Sequence, residues 1–253
     1  MTSFKNILIT GASSGIGEAL SLYYADHGAE HLFLSGRNKE RLENVAEKCR
    51  YRGIKVDTKI LDVTDKEAME AFIKEADEKA PLNLVYANAG VSTGAETCEH
   101  VYNTFNTNIF GVLNTITPAI EIFEQRKDES KKAVAITASI AGYHGLPACP
   151  SYSATKACVK AYGEALRERL KKEKIQVSVI CPGFVRSRIT DKNTCPMPFF
   201  MEANKAAEII ANRVEKNRGL IAFPFAMRLS VYLLSILPNC ISGFIYGKLP
   251  HKV

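Results

Sequence analysis

The sequence predicts an α/β fold in which a doubly wound, mainly parallel sheet of seven strands is covered by helices on both faces. Short apolar runs alternate with longer stretches of helical period, and the alternation repeats from residue 7 to residue 223. The strand runs are apolar, as expected for strands buried on both sides. With 253 residues, 46% apolar and 24% charged, the chain has the composition of a globular protein, which excludes wholesale disorder and collagen-like structure. No internal repeat or Pro/Ser-rich linker divides it, so we expect residues 1–253 to form a single domain.

Each element is predicted from its apolar pattern and from the residues that end it. Gly28 is a helix stop, Gly53 follows the second helix and Pro81 closes the third. The predicted strands are 7–9, 32–34, 56–61, 82–86, 133–137, 177–180 and 220–223. The predicted helices run from a glycine-rich turn to about residue 25, and then over 39–50, 66–79, 102–125, 154–173 and 202–217.

Charge, cysteine content and the start of the chain restrict the possible partners and compartment. The 33 Lys and Arg residues exceed the 27 Asp and Glu residues by six, and the charges are scattered, which suits an anionic small molecule or surface better than a nucleic acid. The seven cysteines form no C-x-x-C pair or Cys/His cluster, so neither a metal site nor a disulfide framework is predicted. The first residues lack the pattern of a signal peptide, and we therefore expect a cytoplasmic, reduced protein.

A glycine-rich segment, TGASSGIG at 10–17, follows the first predicted strand and opens the first helix. Backbone N–H groups and the helix dipole converge at such a junction, and glycine lets a phosphate approach closely. The usual G-x-G-x-x-G spacing is absent, because Leu20 stands where the third glycine would fall after Gly15 and Gly17. Spacing alone therefore leaves two interpretations, a phosphate-binding loop and an ordinary glycine-rich turn.

The end of the second strand bears on which dinucleotide would bind. NAD enzymes place a carboxylate there for the adenosine ribose, but this chain has SGRN at 35–38 and no acid before Glu40. Arg37 could instead bind a 2′-phosphate, supported by Ser13, Lys39 or Arg41, which favours NADP(H) over NAD. The alternative is an ordinary solvated arginine before a helix.

Tyr152 and Lys156 lie four residues apart at the start of a predicted helix, so their side chains project from one face. A nearby ammonium would lower the pKa of the phenol toward neutrality, as proton transfer at physiological pH requires. The pattern alone is weak, since Tyr51 and Lys55 repeat it around Gly53, where a helix is not expected. Ser139 strengthens it, because this residue follows the fifth strand, where α/β sheets bind ligands.

The ordered motifs together resemble the short-chain dehydrogenase/reductase family over residues 5–190. They are TGASSGIG at 10–17, LDVTD at 61–65, NAG at 88–90, TNIFG around Asn108, TASIAG around Ser139, YSATK at 152–156 and PG at 182–183. Two positions depart from the family pattern: Ala87 stands where a second Asn is frequent, and Ser187 where Thr is frequent. Serine keeps the hydroxyl, so this second departure has little effect on the expected binding of the nicotinamide amide.

The resemblance implies a Rossmann-like fold and a role for each matching residue. Tyr152 would be the general acid/base, Lys156 would tune it and hold the nicotinamide ribose, Ser139 would position the carbonyl, and Asn108 would anchor a water-linked proton relay. Glycines would approach the pyrophosphate, and Asp62 would contact the adenine. The full set of cofactor-binding residues so implied is Gly11, Ser13, Ser14, Gly15, Ile16, Gly17, Arg37, Asp62, Val63, Asn88, Tyr152, Lys156, Pro182, Gly183, Val185 and Ser187.

In this family the segment after the Pro-Gly pair, here 184–201, and the C-terminus shape the substrate pocket. Phe199 and Phe200, with Met197 and Met201, indicate a hydrophobic or lipid-like substrate, whereas Arg186 and Arg188 indicate a phosphorylated or carboxylated one. The extension 229–253 contains an uncharged run, 229–247, which Pro238, Asn239 and three serines interrupt, so a membrane span is disfavoured. A substrate lid, an in-plane membrane contact with basic flanks, a packing segment and a subunit interface all stay open.

Several other residues have plain structural interpretations. We expect His144 to lie in a surface loop and Cys149 and Cys158 to be packing residues. A small-residue stripe on the helix after Tyr152 is expected to pack on the sheet, although in the resembled family this helix frequently forms a dimer interface; the stripe is Ala157, Ala161, Ala165 and Leu166.

The resulting interpretation is an NADP(H)-dependent oxidoreductase that interconverts a carbonyl and a secondary alcohol, as a homodimer or homotetramer with a small-molecule substrate. Two alternatives from other classes are a non-catalytic dinucleotide-binding sensor and a membrane-surface scaffold on the same fold. The intact set of Ser139, Tyr152 and Lys156 argues against the sensor.

Overall fold

Seven parallel strands form one sheet in the order β3-β2-β1-β4-β5-β6-β7. The computed structural model describes residues 1–92, 96–191, 196–238 and 241. The strands are β1 Asn6–Thr10, β2 His31–Gly36, β3 Lys55–Ile60, β4 Leu84–Ala87, β5 Lys132–Thr137, β6 Ile175–Pro182 and β7 Leu220–Phe223. Every neighbouring pair is parallel, and the strand order reverses between β1 and β4, which confirms the predicted doubly wound fold.

The helices cover both faces of this sheet. They are α1 Gly15–Asp26, α2 Lys39–Arg50, α3 Lys66–Lys79, α4 Cys98–Phe105, α5 Gly111–Gln125, α6 Pro150–Arg169, α7 Ala203–Glu215 and α8 Phe225–Ser235. A π-helical segment, Asn106–Phe110, joins α4 to α5 without a break. Strand residues alternate between the two cores: Ile7 and Ile9 pack with α1, α2 and α7, whereas Leu8 packs with α3, α5 and α6.

Two predicted helices differ from the observed ones by four residues at an end. The helix predicted to start at 102 begins at Cys98, because the side chain of Thr97 accepts a hydrogen bond from the backbone N–H of His100 and caps it. The helix predicted over 154–173 is α6, with Pro150 in its first turn, where a missing N–H costs nothing. Tyr51 lies at the end of α2 and Lys55 begins β3, which confirms that this second Tyr/Lys pair is not on one helix face.

The outward face of α6 corrects the prediction for the small-residue stripe. Leu166 is buried, but Ala157, Ala161 and Ala165 are exposed. The three alanines are spaced four residues apart and lie on a side of α6 that faces away from the sheet. The expectation of sheet packing is therefore wrong for the three alanines.

The two cysteines near Tyr152 also differ from each other. Cys149 is buried, as a packing residue should be, whereas Cys158 is exposed on α6, so its expected packing role is wrong. Among the helices in the described part of the chain, none is both long enough and apolar enough to cross a membrane.

Candidate active site

A cleft of about 420 Å³ opens at the carboxyl ends of the strands. It extends from the end of β2, past the loop after β1 and the ends of β4 and β5, to the loop after β6. This is the edge of a parallel sheet at which α/β proteins bind ligands, next to the point where the strand order reverses.

The glycine-rich loop after β1 forms one wall of the cleft. Gly11 and Gly15 have φ of +65° and +59°, a conformation that residues with a Cβ rarely adopt. A Cβ on Gly17 would collide with the carbonyl oxygen of Gly11 and lie 2.7 Å from Nδ2 of Asn88. The same Asn88 Nδ2 donates a hydrogen bond of 3.1 Å to the carbonyl oxygen of Thr10, so Asn88 fixes the loop to the end of β4. The loop therefore leaves room for a phosphate next to backbone N–H groups, as a bound dinucleotide requires.

The end of β2 carries cationic rather than acidic side chains. Arg37 and Arg41 line the cleft with Ser13, and the buried Nε of Arg41 has no hydrogen-bond partner among the described residues. Nη1 of Arg37 lies 3.4 Å from Oδ2 of Asp62, and 58% of the Arg37 side chain is exposed. Lys39, a third predicted support, is absent from the described lining of the cleft. Two guanidinium groups and a hydroxyl are thus available here for an anionic group.

Asp62 follows β3 and is ionised at neutral pH. Burial opposes its charge, but hydrogen bonds from the backbone N–H and hydroxyl of Thr64, together with the Arg37 guanidinium, hold the pKa of the carboxyl below its usual value. The distances from Oδ1 of Asp62 to the N and Oγ1 of Thr64 are 3.0 and 2.9 Å. The carboxylate is therefore a fixed hydrogen-bond acceptor on this side of the cleft.

The predicted catalytic residues meet at the ends of β5 and β6. Ser139 follows β5, and its Oγ accepts a hydrogen bond of 3.1 Å from the N–H of Ala141. Tyr152 and Lys156 project from the first turns of α6 into the same cleft. Nζ of Lys156 donates a hydrogen bond of 2.8 Å to the carbonyl oxygen of Thr137 and lies 5.7 Å from the centroid of the Tyr152 ring.

Burial controls the protonation of both residues. It raises the pKa of Tyr152 to about 12, although a hydrogen bond with Ser139 acts in the opposite direction. Burial also lowers the pKa of Lys156 to about 8. The prediction that the ammonium lowers the phenol pKa toward neutrality is thus wrong for this structure, because the ammonium is held at the Thr137 carbonyl and the desolvation of the phenol dominates.

Asn108 lies in the π-helical segment behind this cluster and is fully buried. Its Oδ1 accepts a hydrogen bond of 2.8 Å from the N–H of Val91, while its Nδ2 donates to the carbonyl oxygen of Val91 and to Oγ1 of Thr155, at 2.9 and 3.1 Å. A Cβ on Gly90 would lie 3.2 Å from Oδ1 of Asn108 and 3.3 Å from Nζ of Lys156. Asn108 therefore connects the loop after β4 to α6 and approaches Lys156 across Gly90.

The loop after β6 closes the cleft above the glycine-rich loop. The backbone N–H of Ser187 donates to Oγ1 of Thr190 at 2.8 Å, and this hydroxyl also donates to the carbonyl oxygen of Val185 at 3.0 Å. A Cβ on Gly15 would lie 3.0 Å from Cβ of Ser187, so the two loops are in close contact. Thr190 lines the cleft and was not predicted; no motif pointed to it, because its role depends on the turn of this loop.

The predicted substrate segment 184–201 is described except for 192–195. Arg186 forms an ion pair with Glu202, with Nε and Oε2 2.8 Å apart, and the described lining of the cleft includes Arg188 but not Arg186. Phe199 and Phe200 are 59% and 37% exposed. The His144 loop is also absent from the described lining of the cleft, and the side chain is partly buried.

The structure brings together most of the residues predicted from sequence. Those that line the cleft are Gly11, Ser13, Ser14, Gly15, Ile16, Arg37, Asp62, Val63, Asn88, Ser139, Tyr152, Lys156, Pro182, Gly183, Val185 and Ser187. Gly17 and Asn108 lie behind the described lining, where they support it. Further residues line the cleft without having been predicted as site residues, among them Asn38, Asn103, Thr107, Thr137 and Thr190.

A doubly wound parallel sheet with a glycine-rich loop next to its switch point is the architecture of dinucleotide-binding oxidoreductases. The family model described as short chain dehydrogenase matches residues 5–196. The chain therefore belongs to the short-chain dehydrogenase family of oxidoreductases, whose members bind NAD or NADP.

Relatives and solved structures agree with this assignment. The chain is 34% identical over 242 residues to an uncharacterized oxidoreductase of Myxococcus xanthus, with 94% of each chain covered. It is 31% identical over 229 residues to an uncharacterized oxidoreductase of Mycobacterium tuberculosis, covering 87% of this chain and 88% of the relative. A short-chain dehydrogenase/reductase from Burkholderia phymatum, solved in complex with NAD, has the same fold with a TM-score of 0.83 at 24% identity, over 92% of this chain and 94% of that one.

Proposed function

We propose that the protein is an NADP(H)-dependent oxidoreductase that reduces a carbonyl to a secondary alcohol, and catalyses the reverse reaction, with Tyr152 as the general acid/base. The observation that carries the proposal is that Ser139, Tyr152 and Lys156 line one cleft together with the glycine-rich loop. A substrate in this cleft can contact the Tyr152 phenol and the Ser139 hydroxyl at once.

Each of the three side chains has a defined part in the proposed reaction. When bound, NADPH supplies a hydride to the carbonyl carbon. Tyr152 donates its phenolic proton to the carbonyl oxygen, and a pKa of about 12 keeps this proton in place at neutral pH. Ser139 donates a hydrogen bond to the same oxygen. Lys156, still largely charged at pH 7 with a pKa of about 8, would hold the nicotinamide ribose of the bound cofactor. Asn108, across Gly90 from Lys156, anchors the water-linked path that returns a proton to Tyr152.

The preference for NADP(H) over NAD(H) rests on the end of β2. Arg37 and Arg41 present guanidinium groups at the place where NAD enzymes use a carboxylate, and the Nε of Arg41 lacks a partner among the described residues. A 2′-phosphate would pair with these groups and with Ser13. The contact between Arg37 and Asp62 is long, at 3.4 Å, and exposed, so an incoming phosphate competes with it at little cost.

The substrate proposed for this site is hydrophobic. Phe199 and Phe200 present apolar surface on the loop that follows β6, while the ion pair with Glu202 withdraws Arg186 from substrate binding. Arg188 keeps a cation in the cleft, close to the cofactor-binding loop residue Ser187. The proposed assembly is a homo-oligomer that pairs the exposed alanines of α6, because small side chains allow two helices to approach closely.

The cofactor proposal is tested by titrating purified protein with NADPH and with NADH while following nicotinamide fluorescence. Arg37→Ala is expected to weaken NADPH binding about 10- to 100-fold and to leave NADH binding unchanged, since a charged hydrogen bond contributes about 1.5–3 kcal/mol. Arg52→Ala, which removes an arginine paired with Asp26 far from the cleft, is the matched control. Equal affinity of the unaltered protein for both nucleotides would refute the NADP(H) preference, and binding of neither would favour the non-catalytic alternatives.

The catalytic proposal is tested with Tyr152→Phe, which removes only the phenolic oxygen. Turnover of ketones with NADPH is expected to be lost while the affinity for NADPH stays within about twofold, because the phenol serves the proton transfer more than binding. Tyr143→Phe, one loop away, is the control for a neighbouring aromatic hydroxyl. Retained turnover in the Tyr152 variant would exclude this residue as the acid.

A further inference from the structure

Helix α8 carries apolar side chains on its outward face. Phe225, Leu229, Tyr232 and Leu233, with Ile236 directly after the helix, are 72%, 45%, 52%, 50% and 62% exposed. Their spacing of i, i+4, i+7, i+8 and i+11 places them within about 100° of arc on one side of the helix. We call these five residues the outer stripe.

The opposite face of α8 is packed on the protein. Met227 and Val231 are partly buried against the core beneath α3, α5 and α6. The Sδ of Met227 would lie 2.6 Å from a Cβ on Gly183, so the helix rests directly on the loop after β6. The helix is therefore anchored by one apolar face while presenting a second apolar face outward. A helix that is apolar on both sides normally has both sides covered.

The charges of the surrounding sequence indicate what covers the outer stripe. Glu215 is the last acidic residue of the chain, and every charged residue after it is basic. These basic residues are Lys216, Arg218, Arg228, Lys248 and Lys252. Arg228 lies on α8 itself, where it is exposed, whereas Lys216 and Arg218 lie before β7, at the other end of that strand, and Lys248 and Lys252 lie outside the described residues. An apolar stripe on a helix that carries an arginine and no acidic residue is complementary to an anionic lipid surface.

The polar side chains of α8 do not oppose contact of the helix with a lipid surface. Oγ of Ser230 donates to the carbonyl oxygen of Ala226 at 3.0 Å, and Oγ of Ser235 donates to the carbonyl oxygen of Tyr232 at 2.8 Å. Because both hydroxyls are satisfied within the helix, moving them out of water costs little. Tyr232 is an aromatic residue of the kind that favours the interface between lipid and water, and Phe225 is typical of the apolar face of helices that lie in that interface.

A second copy of the chain fits the outer stripe less well. An 11-residue helix is about 16 Å long and about 10 Å wide, so the projected area of its outer face is about 160 Å². A stable dimer buries about 800 Å² on each partner, which is several times more than this helix face offers. A bilayer needs no matching contour and accepts a single amphipathic face lying in its plane.

We propose that the outer stripe of α8 docks the protein in the plane of an anionic lipid bilayer. The docking is independent of the proposed reaction, because no described residue of α8 lines the cleft. It places the loop after β6 about one helix diameter, roughly 10 Å, from the bilayer, because Met227 contacts this loop from the face of α8 opposite the outer stripe.

The test is co-sedimentation of the full chain with vesicles of phosphatidylcholine alone and with vesicles in which about a third of the lipid is the anionic phosphatidylglycerol. The protein is expected to sediment at least several-fold more with the anionic vesicles, and raised salt should reduce this binding. The double variant Leu229→Glu and Leu233→Glu is expected to lose about tenfold or more of the partitioning, because two apolar contacts become two repelled charges.

The matched control also introduces two glutamates, but in place of exposed tyrosines that lie outside α8. Tyr51→Glu with Tyr102→Glu alters side chains that are 93% and 67% exposed, and partitioning is expected to stay within about twofold of the unaltered protein. Far-UV circular dichroism and the thermal midpoint of each variant verify the fold without reference to the reaction. Equal sedimentation of both double variants, or equal binding to neutral and anionic vesicles, would overturn the proposal. A lower sedimentation coefficient of the α8 variant in the absence of lipid would assign the outer stripe to a second copy and would also overturn it.

Discussion

Lys156 is expected to destabilise the fold that it serves, and replacing it by methionine should make the chain more stable at neutral pH. The side chain is 3% exposed, and burial lowers its pKa from 10.5 to about 8. A lowered pKa means that the unfolded chain holds this proton more tightly than the folded chain. The cost of burying the charge is therefore fully present below pH 8, and it declines as the pH rises from about 8 to about 10.5.

The size of the effect follows from this pKa difference. At about 1.4 kcal/mol per pKa unit, the buried charge costs roughly 3 kcal/mol of unfolding free energy at pH 7. Methionine removes this cost but also removes the 2.8 Å hydrogen bond to the carbonyl oxygen of Thr137, which contributes about 1 kcal/mol. We expect a net gain of about 2 kcal/mol at pH 7 and almost none at pH 9.5. For a chain of this size the gain corresponds to about 4–8 °C in Tm.

The assay is unfolding by guanidinium chloride at pH 7 and at pH 9.5, without added nucleotide, for the unaltered protein and for Lys156→Met. The control is Lys74→Met on α3, whose exposed lysine forms an i, i+4 ion pair with Glu70 at 2.8 Å. The control is expected to change the stability by less than about 0.5 kcal/mol at either pH. A Lys156 variant that is less stable than the unaltered protein at pH 7, or whose gain is the same at both pH values, would refute the reasoning.

Three further predictions concern the cleft and its supports. Gly17→Ala is expected to weaken NADPH binding at least about 100-fold, because the added Cβ collides with the carbonyl oxygen of Gly11 and displaces the loop. Fluorescence titration measures the affinity for NADPH. Glu96→Ala is expected to cost about 1–2 kcal/mol of unfolding free energy, because the Glu96 carboxylate caps α6. This carboxylate accepts hydrogen bonds from the N–H and Oγ of Ser151, the latter at 2.8 Å. Chemical denaturation measures the change in unfolding free energy. The affinity for NADPH is expected to fall by up to about tenfold per pH unit above pH 8, because Lys156 then loses the charge that favours the bound anion; titrations at pH 7, 8 and 9 measure it.

Each of these predictions has a contrasting measurement. Gly145→Ala adds a Cβ where no atom lies within 4 Å and should leave NADPH binding unchanged. Glu99→Ala, in the first turn of α4, removes an exposed acid that caps no neighbouring helix and should cost less than about 0.5 kcal/mol. The pH dependence of binding should vanish in Lys156→Met; if it persists there, another group is responsible.

The strands were predictable because buried parallel strands are apolar throughout, and that property is visible in sequence. The ends of the strands were less predictable. Strand β6 was predicted over 177–180 but extends over Ile175–Pro182, because Ile175 pairs with Lys132 on β5 and Pro182 pairs with Phe223 on β7. Helix α8 was read only as an uncharged run, since a helix that is apolar on both faces shows no clear period.

The candidate site was predictable to the level of residue identity but not of interaction. Spacing placed Tyr152 and Lys156 on one helix face, as the structure has them, yet it could not show that the ammonium binds the Thr137 carbonyl and that burial raises the phenol pKa. In the same way, Arg186 counted as evidence for an anionic substrate until its pairing with Glu202 became visible. Both outcomes depend on contacts between segments that are distant in sequence, and a linear pattern carries no information about them.

The π-helical segment Asn106–Phe110 has a consequence for how this chain tolerates changes in length. Its backbone closes with a bond from the N–H of Gly111 to the carbonyl oxygen of Asn106, five residues back, so one residue more than an α-helix needs is accommodated in this turn. Five residues of this segment turn the chain about as far as four residues of an α-helix, so α4 and α5 keep the relative orientation of one continuous helix. The extra residue lets Asn108 bond to Val91 and Thr155 while Val112 and Ile116 stay packed in the core. A one-residue deletion here that spares Asn108 should therefore leave α5 packed on the sheet and act mainly on the contacts of Asn108.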